Sequence, residues 1–355
     1  MELVEGPPGA LFDLALTLQD IAATQVETRS KSARGYALAT GRRPAWVRAD
    51  ALDLKADMRV DDALAAVLEN CLRHWSANEP AALDGSDPEG VHQMRVGLRR
   101  FRSALSVFGD LLPESELDWL QGEAKWALNA LGPARDWDVF QSDLLAPLEA
   151  DRPDDPDLAA LRAAALERQD RAYRDLREAL STPRYTRFLL RLGGWLEDRG
   201  WRGAGLTPAQ RAALDQPLIT LADALLAKRH RQVMKRGKGF KTLPAEKRHE
   251  LRIAVKKLRY TTEFFRDLYP AKHEKAYLAA LRDLQESLGH LNDVAVAEGL
   301  LLNLTEASPP GSGARQLERA AGKVIGWYAR ALLDFEPEMR HTWKSFAATA
   351  PYWNK

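Results

Sequence analysis

Apolar residues recur along this chain at helical spacing. Leu64, Val67, Leu68, Cys71 and Leu72 fall at i, i+3, i+4, i+7 and i+8, the spacing that turns one face of an α-helix toward a core. Leu221 and Leu225 open a similar stripe near the start of the second half. Another runs through Val91, Met94, Leu98, Phe101, Leu105 and Phe108, and Leu251, Val255, Leu258 and Phe265 repeat it. No alternating β-branched run rises above background except short pieces before position 60. From about Asp53 onward the pattern predicts an all-α protein.

Polar positions carry a second regularity. VHQMRVGLRRFR from Val91 and RHELRIAVKKLR from Arg248 align at an offset of 157, placing His92 over His249, Arg95 over Arg252, Arg99 over Lys256, Arg100 over Lys257 and Arg102 over Arg259. Leu131-Gly132 with Arg135-Asp136 matches Leu288-Gly289 with Asn292-Asp293 at the same offset. Two blocks with one offset identify the second half as a divergent duplicate of the first. Each copy, at about 140 residues, has room for four helices joined by short loops. Pro80, Gly85, Gly90, Pro113, Gly132 and Pro183 are read as the joints of the first copy. The expected organisation is an N-terminal segment over 1–52, a first bundle over 53–200, a linker over 201–216 and a second bundle over 217–355. GWRGAGLTPAQ from Gly200 is the expected hinge. Asp151 to Asp157 reads as an exposed loop, and its Ala-rich continuation to Leu180 as a solvated helix.

On a helix, His92, Arg95, Arg99 and Arg102 fall within roughly one quadrant, about 110° from the apolar stripe. The second copy repeats the arrangement. Like charges at these spacings cost a few tenths of a kcal/mol each, so a compensating anion is expected. Arginine suits phosphate because its planar guanidinium offers paired donors and keeps its charge. Histidine adds a donor whose charge an anion would favour. An ordinary solvated face, with Arg and Lys stems lying over apolar surface, explains one such helix well and two in the same register poorly. The histidines taken singly fit a neutral helix-start residue equally well. Asp136 and Asp293 suit a structural role, capping a following helix or holding a basic side chain.

Composition sharpens the location of charge. The 355 residues carry a formal net charge of only +1, yet between Lys228 and Arg259 there are 13 Lys and Arg against two acids. Before position 90 acids outnumber bases by 15 to nine. Such asymmetry marks a local anion-binding surface. Lys228, Arg229, Arg231, Lys235, Arg236 and Lys238 extend it as a basic rim. The helix dipole favours two or three cations at a helix C-terminus, not a whole cluster.

Other chemistry finds little support. Cys71 is the sole cysteine, which excludes an internal disulfide and fits a reducing compartment. No apolar run reaches the roughly 18 residues of a membrane span, and no secretion signal is evident. A phosphate-binding GxxxxGK[ST] loop is absent, the Gly200, Gly203, Gly205 group lacks a preceding strand, and no His pair at i, i+4 specifies a metal. Cofactors and metals are therefore not expected. Two alternatives remain open: a phosphotransfer or phosphohydrolase centre using His92 or His249, and a nucleic-acid-binding module. The first wants a partner carboxylate, of which the motif helices offer Glu250, with an Asp293–His249 pairing also conceivable. The second wants aromatics interleaved with the cations, whereas Phe101 and Tyr260 lie on or near the packing side.

At these residues the chain resembles the CHAD family, the conserved histidine α-helical domain. The resemblance spans about 55 to 355 and rests on His92 with Arg95, Arg99, Arg100 and Arg102, on His249 with Arg252, Lys256, Lys257 and Arg259, on the two Leu-Gly-to-Asp joints, and on the aromatic segment Phe346 to Trp353. It implies two four-helix bundles related by a pseudo-twofold axis around a basic cavity, with the two His-Arg helices facing each other. It also implies a non-enzymatic binder of inorganic polyphosphate. The lone cysteine and the lack of a secretion signal make the cytoplasm the expected location, in association with polyphosphate-containing granules. Residues 1–50 resemble the tail of a CYTH, or triphosphate tunnel, domain through LVEG at Leu3, the helix near Ala10 to Ala22 and RSKSARGY from Arg29. The ExExK motif of that domain is missing from the chain, so its triphosphatase activity is not carried over.

Overall fold

The computed structural model describes residues 3–203, 205–306 and 311–353, apart from the side chains of 271, 273, 290–293, 295 and 332–334. Among the described residues there are thirteen α-helices: α1 Gly9–Ile21, α2 Lys31–Thr40, α3 Val60–Asp84, α4 Pro88–Phe108, α5 Glu114–Val139, α6 Ala146–Asp151, α7 Pro156–Leu180, α8 Pro183–Glu197, α9 Pro208–Leu214, α10 Leu218–Arg236, α11 Ala245–Phe265, α12 Ala271–Glu306 and α13 Ser312–Ala348. Short 3-10 turns follow α4 and α11, and a six-residue π-helical stretch, Phe140–Leu145, follows α5. No strand occurs among the described residues, which are linked outside helices by one isolated antiparallel bridge, Arg59 with Pro217. Element boundaries keep the sequence offset. Pro88 and Ala245, Phe108 and Phe265, and Glu114 and Ala271 are each 157 positions apart.

Two compact units emerge. The first comprises 1–135 and 172–221, the second 136–171 and 222–355. Relative to the expected bounds of 53–200 and 217–355, the segment 136–171 groups with the later half, and the N-terminal segment belongs to the first unit.

In the first unit α3 and α4 form the central pair. The predicted stripe Val91, Met94, Leu98, Phe101, Leu105 and Phe108 is wholly buried, as are Leu64, Val67, Leu68 and Cys71 facing it. At about 1.5–3 kcal/mol per fully buried side chain, six such residues outweigh by far the few tenths of a kcal/mol of repulsion along the cationic face. Packing therefore fixes the orientation of α4, and the charges are tolerated. Trp75 meets Phe101 edge-on at 5.1 Å and stacks on Phe188 of α8 at 5.8 Å. The helices approach closely at Gly97, where a Cβ would lie 2.8 Å from the Trp75 backbone nitrogen. The segment between α2 and α3 is tied back to α3 at Val47 and Asp50. Asn78 bonds both the N–H and the carbonyl of Val47 at 2.9 Å, and Asn70 donates to the Asp50 carbonyl at 3.0 Å.

The expected hinge is pinned. Trp201 is fully buried and donates through Nε1 to Asp61 at 2.6 Å, while Arg199 and Arg202 reach the other Asp61 oxygen at 2.6 and 2.9 Å. Leu206 and Leu214 are buried as well, so apolar burial and a shared carboxylate overrule the glycines. Three of the predicted joints also fall inside helices: Pro80 in α3, Gly90 in α4 and Gly132 in α5. α5 continues through Gly132-Pro133, so Asp136 is a helix-interior residue rather than a cap. A proline costs one backbone hydrogen bond, which long-range packing of the flanking Leu128, Leu131 and Ala134, all buried, offsets.

α7 differs from the solvated helix expected. Leu158, Leu161 and Ala165 are buried in the second unit, and Tyr173, Leu176 and Leu180 in the first; alanines between them had masked the period. The first turn of α7 is likewise anchored, with Asp157 pairing Arg319 at 2.7 Å and Lys323 at 2.9 Å. Those two cations, Arg319 foremost, hold the Asp157 carboxyl down to about 2.

In the second unit Leu251, Val255, Leu258 and Phe265 of α11 are fully buried. Arg248 fastens the start of α11 to α13 by paired bonds to Glu336 at 2.7 and 2.9 Å. The terminal aromatic segment is core: Phe346, Tyr352 and Trp353 are buried, with Tyr277 5.1 Å from Trp353 and 5.5 Å from Phe346.

Candidate functional site

On α4 the Cα positions of His92, Arg95 and Arg99 share one side, and their side chains are half-buried, with Arg102 exposed beyond them. Arg95 leans on α5, donating from Nη1 to the Leu128 carbonyl at 3.0 Å; Gly132 lies beneath it, its missing Cβ leaving room for the guanidinium at 3.3 Å. His92 sits among cations. Burial pushes its imidazole down to about 4, and Arg135, then Arg99 and Arg95, push the same way, while the Glu89 carboxylate pushes against them. Its Nδ1 is buried without a hydrogen-bond partner among the described residues. At neutral pH this ring is uncharged, and a bound anion would reverse the sign of its surroundings.

Arg100 belongs elsewhere. It lies about 120° around α4 from the stripe and donates from Nη2 to Asn70 on α3 at 2.9 Å. There it faces His74, whose imidazole is held below its usual range by burial first and Arg100 second. Gln93 donates to Glu89 at 2.6 Å and accepts from His74 Nε2 at 3.1 Å, so an ordered polar chain supports the stripe from behind.

Arg135 was not among the residues expected here. Its counterpart in the second copy is Asn292, and a comparison of copies for shared cations passes over it. Its position three residues beyond a Gly in a continuous α5 is what brings it to His92, and that continuity was not legible at Gly132-Pro133.

In the second unit, α11 carries the matching register. His249 is exposed, Arg252, Lys256 and Arg259 are half-buried, and Lys257 is exposed at about 120° from them. Arg259 is paired within the helix, its Nε reaching Glu263 at 2.7 Å. The side chains of Asn292 and Asp293 lie outside the described residues. On α10, Lys228 and Arg231 are exposed and Arg229 half-buried. His230 turns inward, its Nδ1 2.9 Å from the Tyr277 hydroxyl.

The rest of the expected rim is gathered differently. Lys235, Arg236 and Lys238 line a cavity of about 560 Å³ together with Gln232, Lys247 and Glu250. The Gly237-Lys238-Gly239 turn builds it: the ring of Trp343 occupies the place a Gly237 Cβ would take, and Gly239 has φ +74°, a conformation that favours glycine. Lys247 and Glu250 are 2.6 Å apart, and Lys247, with Arg236 behind it, holds the Glu250 carboxyl below its usual range.

The class this defines is an all-α protein whose cationic helix faces stand apart from its packed core. The CHAD domain profile matches residues 66–302, and the chain belongs to the CHAD family. The crystal structure of the CHAD domain from the plant Ricinus communis is similar at 35% identity, with a TM-score of 0.73, covering 86% of this chain and 98% of that one. PptA from Streptomyces chartreusis shares the fold at 15% identity and a TM-score of 0.58, covering 84% of this chain and 100% of that one. None of the curated proteins compared matches the chain. No helix among the described residues is long and apolar enough to cross a membrane, and no group of three or more metal-ligating side chains occurs among them.

Proposed function

We propose that this protein binds inorganic polyphosphate through the His-Arg faces of α4 and α11, without carrying out chemistry on it. The observation that carries the reading is the environment of His92: a half-buried imidazole on which the guanidiniums of Arg135, Arg99 and Arg95 bear, with Nδ1 buried and without a hydrogen-bond partner among the described residues. A chain of phosphates supplies the charge this arrangement calls for, and Arg95, Arg99 and Arg135 supply forked donors suited to phosphate oxygens. Arg252, Lys256 and His249 extend the same chemistry in the second unit, and Lys228, Arg229 and Arg231 of α10 are assigned to its rim. Nucleophilic use of His92 is disfavoured, because Glu89, a carboxylate that bears on it, accepts from Gln93 at 2.6 Å and so is engaged in positioning. We place its site of action in the cytoplasm, beside polyphosphate-containing granules.

The test is a titration of labelled long-chain polyphosphate, challenged with single-stranded DNA, RNA and heparin, with free phosphate assayed throughout. Polyphosphate should hold against the competitors, and affinity should fall with salt at a slope of roughly −0.7 per phosphate charge neutralised. Equal displacement by DNA would turn the reading toward a nucleic-acid module, and steady phosphate release would turn it toward an enzyme.

A further inference from the structure

The cationic residues of the second unit form two places rather than one. On α11, Lys247 and Glu250 lie roughly 140–160° around the helix from the centre of the His249, Arg252, Lys256, Arg259 stripe. None of those four stripe residues lines the cavity at the α10–α11 turn, whereas Lys247 and Glu250 both do. The cavity is therefore on a different side of α11 from the face assigned to polyphosphate.

Its chemistry is specific. Four cations, Lys235, Arg236, Lys238 and Lys247, surround one carboxylate, and that carboxylate is engaged by Lys247 at 2.6 Å. Among the described residues Lys235, Arg236 and Lys238 make no ion pair within 4.0 Å, so the charge of the turn is not balanced from within. All four cations are pure donors. Leu243 is the one apolar side chain of the lining, and no aromatic ring faces the space, which leaves nothing for a nucleoside base to stack on. The turn is also held in shape: Gly237 sits against Trp343, Trp343 stacks on Phe240 at 5.6 Å, and Arg248 donates from Nε to the Leu243 backbone carbonyl at 3.1 Å.

We propose that the α10–α11 turn is a second anion site, separate from the His-Arg face, which takes a compact oligophosphate of two or three phosphoryl groups without a nucleoside. The space of about 560 Å³ is ample for such an ion with its remaining water, and the four donors converge on it from two helix ends and the turn between them. The site shares the phosphate chemistry of the proposed function but does not rest on it, since a compact anion would bind here whether or not long chains bind the stripe.

The experiment is calorimetric titration of the full chain with tripolyphosphate, repeated with ATP. Two double variants are compared, Lys238→Gln with Lys247→Gln at the turn, and Arg252→Glu with Lys256→Glu on the stripe. The turn pair is exposed and the stripe pair half-buried, and circular dichroism checks that each variant remains helical. Tripolyphosphate should bind the wild type at least as tightly as ATP. The turn variant should weaken it about tenfold or more, and the stripe variant should retain a tripolyphosphate site of undiminished affinity. The proposal is overturned if the wild type does not bind tripolyphosphate, if the turn variant binds it unchanged, or if the stripe variant abolishes it. Failure of long-chain polyphosphate to bind the wild type, with tripolyphosphate still bound, would instead count against the proposed function alone.

Discussion

Replacing Arg135 by Gln removes the largest charge acting on His92 while keeping a side chain of similar length. Two magnitudes follow. A charged hydrogen bond to a phosphate is worth about 1.5–3 kcal/mol, so polyphosphate affinity should drop by about 10- to 150-fold. The plot of log affinity against log salt should also flatten by about 0.7, the share of one neutralised phosphate on a single-stranded polyanion. In the ligand-free protein the His92 imidazole should titrate above its present value of about 4, though short of its unfolded value of about 6.5, because burial is unchanged. The sign for stability follows. With the folded value below the unfolded one, the unfolded chain takes up the proton first, so the contribution of neutral His92 is complete above about pH 6.5 and is lost as pH falls toward 4. Bound polyphosphate raises the folded value, and binding should therefore take up a proton and tighten as the solution is acidified through that window. Proton NMR of the His92 ring with and without polyphosphate, together with titrations at several salt concentrations, measures all of this. An unchanged His92 titration in Arg135→Gln, or an affinity loss with no change of salt slope, would refute the reasoning and leave Arg135 a structural residue of α5.

Two further outcomes test the framework that holds the stripe. Gly97→Ala should destabilise by up to about 2 kcal/mol in thermal unfolding, because overpacking against the Trp75 backbone costs about 1–3 kcal/mol and the gain in helix propensity returns about 0.8–1; a stabilised variant would show that α3 and α4 have room to spare. Asp61→Ala should cost about 3–5 kcal/mol in urea unfolding, since it strands the buried Trp201 Nε1 donor and deprives Arg199 and Arg202 of their shared partner. Asp61→Asn, which keeps an acceptor for Trp201, should cost less, and equal losses for the two would mean the indole bond contributes nothing.

Much of the molecule was legible before any coordinates. The apolar stripes of α3, α4 and α11 could be read because burial is periodic, and periodicity survives in one dimension; Leu98 and Phe101, or Val255 and Leu258, declare their side of a helix from spacing alone. The separation of the cationic face from the packing face follows from the same rule, whereas the CHAD family is legible through the resemblance of the two His-Arg segments to it. Helix ends were less readable. Pro80 and Gly132 look like joints, but whether a proline or glycine stops a helix depends on what the flanking turns gain by packing, a sum over residues far away in sequence. The buried face of α7 is hidden for a related reason, since alanines fit either a buried or a solvated face.

The grouping of charges was decided only in three dimensions. In sequence, Arg100 stands beside Arg99 and Lys235 falls in the same basic run as Arg231. Folding turns Arg100 away to Asn70, carries Arg135 to His92 and divides the basic run between a helix face and the cavity at a turn. The sequence by itself determined that this protein is helical, where its core faces lie, and that it concentrates cations in two registers. Tertiary structure decided which cations act together, because an electrostatic field falls off with distance through space and takes no account of order along the chain.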